Sequence, residues 1–373
     1  MEPFHEALTG PIRPCLPPKE TSLLRRSLLA ASGAMAAAHL AGRPARSQQA
    51  RIKGAGDILM RRVFEAWNEA GRGATGIGLD YAAIGSNEGL AEVAGRQVDF
   101  GATVSPLSPS RLRERNLLQF PSMICPVVFV VNLPGVVNNQ LKLTGENIAD
   151  LYLGAIAKWN HPKLAESNPG LRLPDLAVTP VYRSDSSGTT LLTTTYLSRA
   201  SDAWRNGPRA GSVVRWPRGK SGHLNAGVAE AVKATPGAIG YVTEASEVAK
   251  TLATTQIRNQ FGKFVKPESD TFYAAVNATD WSVPGFGVDM IDLDQEDVWP
   301  IIGPSFTLIP LNPSAEKVEA VRNTLKFFDW TLTKGDEVLR RTGNASMPEE
   351  IVDFVHEDWA AIKGPDGNPV WNP

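Results

Sequence analysis

Cysteine is nearly missing from this sequence: two of its 373 residues are cysteines, and only Cys125 lies beyond residue 47. An internal disulfide is therefore excluded for residues 48–373. Histidine is also sparse there. His161, His223 and His356 stand far apart, without the spacing that gathers zinc ligands, so neither a metal site nor a cofactor is expected. No sign of charge dominates, since 38 Lys and Arg face 39 Asp and Glu, and residues 48–373 carry about four more acidic than basic residues. Such a surface gives nucleic acid no general attraction. Its apolar and charged fractions, 42% and 21%, are those of an ordinary folded protein, and the length allows two domains with proper cores.

The longest apolar stretch is short. Leu24-Arg25-Arg26-Ser27-Leu28-Leu29 leads into the Ala-rich residues 30–41, followed by Gly42-Arg43-Pro44-Ala45-Arg46-Ser47. Positive charge, a brief apolar run and small residues near a cut are the parts of an export signal, here with the paired arginines of the twin-arginine type. The expectation is a signal over 1–47, cleaved after Ala45-x-Ser47, and a periplasmic product. A membrane anchor is the alternative, but the run falls short of the ~20 residues that span a bilayer. Cys15 precedes the apolar run, so a lipid anchor is not indicated.

The stretch that organises the rest is Arg183-Ser184-Asp185-Ser186-Ser187-Gly188-Thr189-Thr190. Before it, Val178-Thr179-Pro180-Val181-Tyr182 has the β-branched character of a strand; after it, Leu191 to Leu197 can run on as a helix. A strand-to-helix turn exposes the first N–H groups of the helix, and a glycine there lets a ligand approach the backbone. Those donors, the Ser187 and Thr189 hydroxyls and the forked cation of Arg183 suit an anion. On these residues alone, a serine N-cap beside a solvated arginine is the plainer reading.

Two similar turns lie upstream. Gly54 to Leu59 reads as a flexible loop ahead of a helix from Arg61 to Ala70, on which Val63, Phe64 and Trp67 share a face. Leu79 to Ala83 alternates as a strand and is followed by Ile84-Gly85-Ser86-Asn87-Glu88-Gly89, opening a helix through Val93. Val98 to Thr103 is a third short strand. A mostly parallel sheet would set such turns along one edge, each helix N-terminus contributing about 0.3–1 kcal/mol toward an anion.

Pro126 to Val131 is apolar throughout, as in a strand covered on both faces, and is expected to start a second domain. Helical spacing recurs over 144–153 and 225–234, with a strand at 238–242 between turns. After residue 300 the pattern reads as helical: Val318, Val321, Leu325, Phe328 and Leu332 form one stripe. Ser346 with Glu349 reads as a capping box before Ile351, Val355, Trp359 and Ile362. Strand and helix alternate along the chain, which makes the class α/β.

Taken together, Gly54-Ala55-Gly56, Tyr81 to Ser86, Val98-Asp99-Phe100-Gly101-Ala102, Gly154 to Trp159, the 183–190 turn, Pro236 to Tyr241 and Phe327-Phe328-Asp329-Trp330 stand in a known order. The sequence after residue 50 resembles the periplasmic phosphate-binding proteins of phosphate-specific ATP-binding-cassette (ABC) importers. The resemblance implies a type II solute-binding fold of two lobes, each a mixed, mostly parallel sheet flanked by helices, joined by two hinge crossings. By analogy one lobe is 50–125 plus 299–373 and the other 126–298. The implied partners are inorganic phosphate or a related oxyanion and the membrane permease of the importer, which would read a ligand-closed monomer. Position by position, the resemblance puts Ser86, Arg183, Ser187, Gly188 and Thr189 on the ligand and gives Asp185 the task of orienting Arg183.

Two positions depart from the family. Ile58 and Leu59 replace a threonine and an aromatic residue, and Val104 replaces an aspartate that accepts the ligand's proton. A carboxylate beside an anion is tolerable when the ligand has a proton to share, which favours phosphate over sulfate. With Val104 that filter is lost unless Asp57 turns inward; Asp57 as a helix cap or a solvated residue is the alternative. Ser105 is a further candidate. The departures leave open another oxyanion or an organophosphate as ligand. An ester hydrolase is disfavoured, since Ser186 and Ser187 lie outside Gly-x-Ser-x-Gly and no histidine is near them in sequence.

Overall fold

A computed structural model describes residues 49–243 and 251–372; the expected export signal over 1–47 lies outside the described residues. The strands are β1 Ala50–Gly56, β2 Ile77–Ala83, β3 Phe100–Thr103, β4 Leu117–Asn132, β5 Lys142–Leu143, β6 Thr179–Arg183, β7 Lys220–Gly222, β8 Ala238–Thr243, β9 Ala253–Thr254, β10 Gln256–Arg258, β11 Phe264–Val265 and β12 Ile302–Pro310. The main sheet runs β2-β1-β3-β12-β4-β8-β6-β7, with β9 also paired to β4. β1, β2 and β3 are mutually parallel, and so are β6, β7 and β8.

One strand joins the two halves. β4 is 16 residues long and almost wholly buried; its first part pairs antiparallel with β12 and its second part with β8. The boundary expected between residues 125 and 126 falls inside this strand, where its partner changes. There the Val127 N–H donates to the Ile301 carbonyl at 2.8 Å, so the outgoing and returning chain segments lie side by side.

Aromatic packing fills the core of the first half. Phe64 meets Tyr81 with ring centroids 4.5 Å apart, Phe100 meets Phe328 edge-on at 5.0 Å, and Phe120 meets Trp359 at 5.2 Å. Edge-to-face pairs of this kind contribute about 0.5–1.5 kcal/mol beyond area burial. The helical stripe of Val321, Leu325, Phe328 and Leu332 is buried on the helix Val318–Lys334, as its spacing predicts.

Three expectations are corrected. The stretch Gly54–Gly56 is not a loop: it is the end of β1, and Asp57 caps a single 3-10 turn, Ile58–Met60. Small residues stand here because neighbours press in. A Cβ on Gly54 would lie 2.1 Å from the Phe100 ring, and one on Gly89 would lie 2.4 Å from the Gly56 Cα. Next, residues 302–310 form β12 in the middle of the sheet, where a helical pattern was expected; Pro304, Pro310 and the register shift between Ser305 and Phe306 hide its alternation. Finally, Ser346 and Glu349 make no capping box. The helix Glu349–Trp359 starts after Pro348, the Ser346 hydroxyl pairs with the Tyr273 hydroxyl at 3.0 Å, and Ile362 is buried beyond the helix end.

Candidate functional site

The 183–190 turn folds as its residues predict, with Arg183 ending β6 and Gly188 starting the helix Gly188–Ala200. Ser187 is the N-cap and accepts the Thr190 N–H at 3.4 Å. Arg183 is not solvated: it is 4% exposed. Its Nε donates to Asp185 Oδ1 at 2.9 Å and its Nη2 to Asp185 Oδ2, a bidentate fork. Nη1 donates to Thr189 Oγ1 at 3.1 Å and to Asn225 Oδ1 at 3.0 Å. A guanidinium has five N–H groups, so one on Nη2 is left without a protein acceptor among the described residues.

That pair is held from behind. The Arg183 backbone N–H donates to the Tyr241 hydroxyl at 3.2 Å, and Tyr241 shares a 2.8 Å hydrogen bond with the Thr190 hydroxyl. Burial pushes the Tyr241 phenol up to about 12, so it stays a neutral hydroxyl. Burial alone would raise Asp185, but the hydrogen bonds and charge of Arg183 outweigh it and hold the carboxyl below its usual range. The Leu224 N–H also donates to Asp185 Oδ1 at 3.0 Å.

Asn225 is the residue that sequence reasoning missed. It sits in the first turn of the helix Leu224–Lys233, accepts from Arg183 Nη1 at its Oδ1 and donates from Nδ2 to Thr243 Oγ1 at 2.9 Å. The signal was present: Gly222-His223-Leu224-Asn225 repeats the strand, glycine and helix order of the other turns. Leu224 even takes a φ of 60°, uncommon for a bulky residue and typical of an over-determined site.

The other half of the sheet contributes Asp57 and Ser86. Asp57 is 5% exposed; its Oδ1 accepts the Leu59 N–H and its Oδ2 accepts the Ser86 hydroxyl, both at 2.8 Å. Asp57 thus caps the 3-10 turn and also faces Ser86, the first residue of the helix Ser86–Ala94; a solvated Asp57 is excluded. Burial raises its carboxyl above the usual range, opposed by the Leu59 and Ser86 hydrogen bonds and by the Arg183 charge, while Asp185 adds to the rise. The charges of the two turns therefore act on one another across the sheet.

Val104 meets the second half directly. It is buried, and a Cβ on Gly188 would lie 2.5 Å from its Cγ2. The open side of Gly188 is therefore covered by an isopropyl group. Ser105 is exposed, and its N–H bonds back to Thr103 Oγ1 at 3.0 Å. A cavity of about 330 Å³ has Ile58, Leu59, Arg183, Leu224, Asn225 and Thr243 in its lining; of the residues expected at the site it takes in Arg183, Ile58 and Leu59, and not Asp57, Ser86, Val104, Ser187, Gly188 or Thr189.

A family model described as a PBP superfamily domain matches residues 41–286. Over 327 residues the chain is 37% identical to the phosphate-binding protein PstS of Pasteurella multocida, covering 87% of this chain and 94% of that protein. This chain belongs to the PstS family. A second member, from Haemophilus influenzae, is 36% identical over 314 residues, 84% of this chain and 93% of its own. Among solved structures, the phosphate-binding protein from Stenotrophomonas maltophilia superposes with a TM-score of 0.60 at 19% identity, covering 82% of this chain and 92% of that one. The family fold is the two-lobed solute-binding fold, and the sheet order described above is its expression in this chain. Among the described residues, no helix is long and apolar enough to cross a membrane.

Proposed function

We propose that this protein is the substrate-binding component of an ABC importer, which takes up inorganic phosphate between its lobes in the periplasm and delivers it to the membrane permease. The observation that carries this is the buried guanidinium of Arg183, locked by Asp185, Asn225 and Thr189, left with one N–H that has no protein acceptor among the described residues and set at the turn that starts the helix Gly188–Ala200. An anion there meets a cation whose orientation costs nothing further at binding. Charge-assisted hydrogen bonds of this type contribute about 1.5–3 kcal/mol each. Arg183, Ser187, Gly188 and Thr189 bind from the lobe 126–298, and Ser86 from the lobe 50–125 plus 299–373.

Family membership supports the ligand, because the relatives that cover most of this chain are phosphate-binding proteins by name. It supports a binding role rather than catalysis; the composition of residues 1–47 supports export by a cleaved signal, and the protein is proposed to act as a monomer. Binding shifts the lobes toward a closed form that the permease distinguishes. The test is thermal unfolding with inorganic phosphate. Saturation at 100 times Kd stabilises by about 2.7 kcal/mol, a clear rise in Tm. Absence of any shift at millimolar phosphate, with calorimetry silent as well, would refute the assignment.

A further inference from the structure

We propose that Arg61 and Arg62 make the cavity at Arg183 a capture site, which draws an anion in from solvent and sets how fast it reaches the buried guanidinium. The inference rests on the phosphate reading above and concerns the route to that site rather than the contacts within it.

Three arginines line this one cavity, and they differ in depth. Arg183 is 4% exposed, whereas Arg61 and Arg62 are exposed and stand on the first turn of the helix Arg61–Thr75. An anion entering from the exposed end passes the charges at 61 and 62 before it meets the one at 183. The volume of about 330 Å³ has room for roughly ten waters at about 30 Å³ each, so an oxyanion enters with part of its hydration shell.

Formal charges show why the outer pair is needed. Asp185 forks Arg183 and balances it. Glu65, also in the lining, and Asp57, buried one residue before the lining residue Ile58, add two carboxylates. Arg61 and Arg62 offset those two, Arg61 in part through its 2.9 Å ion pair with Glu65. Without them an incoming anion meets two uncompensated carboxylates, in a chain whose residues 48–373 already carry about four more acidic than basic residues. Ile58, Leu59, Val63 and Leu224 supply apolar walls between the charges. Low-dielectric walls focus the field of the charges they enclose, and clefts of this kind raise association rates by about 10–10³, an effect that falls steeply with ionic strength.

The experiment measures inorganic phosphate binding to the wild type, the double variants Arg61→Gln/Arg62→Gln and Arg61→Lys/Arg62→Lys, and Glu65→Gln. Calorimetry gives Kd and stopped-flow tryptophan fluorescence gives the rates, both from low to high sodium chloride; Trp216 stacks on the Tyr241 ring whose hydroxyl accepts the Arg183 backbone N–H. Exposed ion pairs contribute little to stability, and ligand-free unfolding curves check that each variant folds. The expected result is a wild-type association rate that falls as salt rises. At low salt the glutamine pair associates about 10-fold or more slowly with an unchanged dissociation rate, Kd rises by the same factor, and the difference closes at high salt. The lysine pair recovers the rate, since capture needs charge and not a guanidinium fork. Glu65→Gln associates faster, because it removes a carboxylate from the lining, and it decides the matter alone if the glutamine pair does not fold. A glutamine pair with wild-type Kd and salt dependence overturns the proposal. So does a change confined to dissociation, which makes the arginines contacts of the bound anion, a lysine pair as slow as the glutamine pair, or a Glu65→Gln variant that gains nothing. Each of these leaves phosphate binding intact. A wild type that binds no phosphate refutes the underlying reading, and this inference falls with it.

Discussion

The two turns that face each other across the sheet are built on opposite plans. Around Arg183 nearly every polar atom has a partner: the guanidinium is shared among Asp185, Thr189 and Asn225, and its backbone is pinned to Tyr241. Around Asp57 a single buried carboxylate accepts two hydrogen bonds, from the Leu59 N–H and the Ser86 hydroxyl, while its carbonyl accepts the Tyr81 hydroxyl and its N–H donates to the Ala102 carbonyl. By the sequence resemblance, the first turn keeps the family's residues and the second departs from them. Under the proposed function, the cation that an anion meets lies in one half of the molecule and a buried carboxylate in the other.

If the Arg183 turn is a rigid unit, damage there is the most costly. Asp185→Ala leaves a buried guanidinium without its fork, and removal of one partner of a buried pair costs about 3–5 kcal/mol. Urea unfolding should show that loss, together with weak or absent phosphate binding. Retained stability and affinity would mean the pair is not the organising contact of this turn.

The junction between the plans is the seat of Val104 on Gly188. Gly188→Ala puts a methyl group 2.5 Å from Val104 Cγ2 and so forces the halves apart or the helix to shift. The expected cost is about 1–3 kcal/mol, as for other overpacked sites, and Val104→Ala in the same chain should restore part of it. A double-mutant cycle reads this as a coupling of about 0.5–3 kcal/mol. Strict additivity would show that the two residues do not meet in solution.

The smallest effect is a pH dependence. Because burial raises Asp57, the ligand-free folded state holds that proton more tightly than the unfolded chain does. Its contribution is present below the ordinary carboxylate range and is lost as pH rises through the raised value. Asp185 is lowered, so it works in the opposite direction and loses its contribution in acid. Asp292, raised by burial to about 6, moves with Asp57 and makes the comparison necessary. The difference in Tm between Asp57→Asn and wild type, without ligand, should therefore grow in favour of the variant from acid to neutral pH. A flat difference would indicate that Asp57 titrates normally.

Local chemistry made the Arg183 turn legible, since a strand, a glycine, two hydroxyls and a helix follow one another within one short stretch. β1 and β12 were hidden for the opposite reason. The glycines of β1 answer to Phe100 and to the helix Ser86–Ala94, which are distant in sequence, and the prolines of β12 mask a strand whose partners lie at residues 101–103 and 117–126. Asn225 was overlooked although its turn has the same grammar, because its role depends on reaching a guanidinium 42 residues away. Asp57 stood between a helix cap, a solvated residue and a carboxylate turned toward the ligand; it caps the 3-10 turn and accepts the Ser86 hydroxyl, and its burial removes the solvated reading.

The side-by-side passage of the chain through Val127 and Ile301 sets what relative movement is available. The ladder from Leu117 to Pro126 along β12 lies almost wholly within the segments 50–125 and 299–373, so it stays intact when those segments move as one against the rest. Bending both passages about a shared crease breaks few bonds. Under the proposed function, opening is a bend on that two-ply spine, and a guest that touches both covers would have to overcome the stiffness of that one fold.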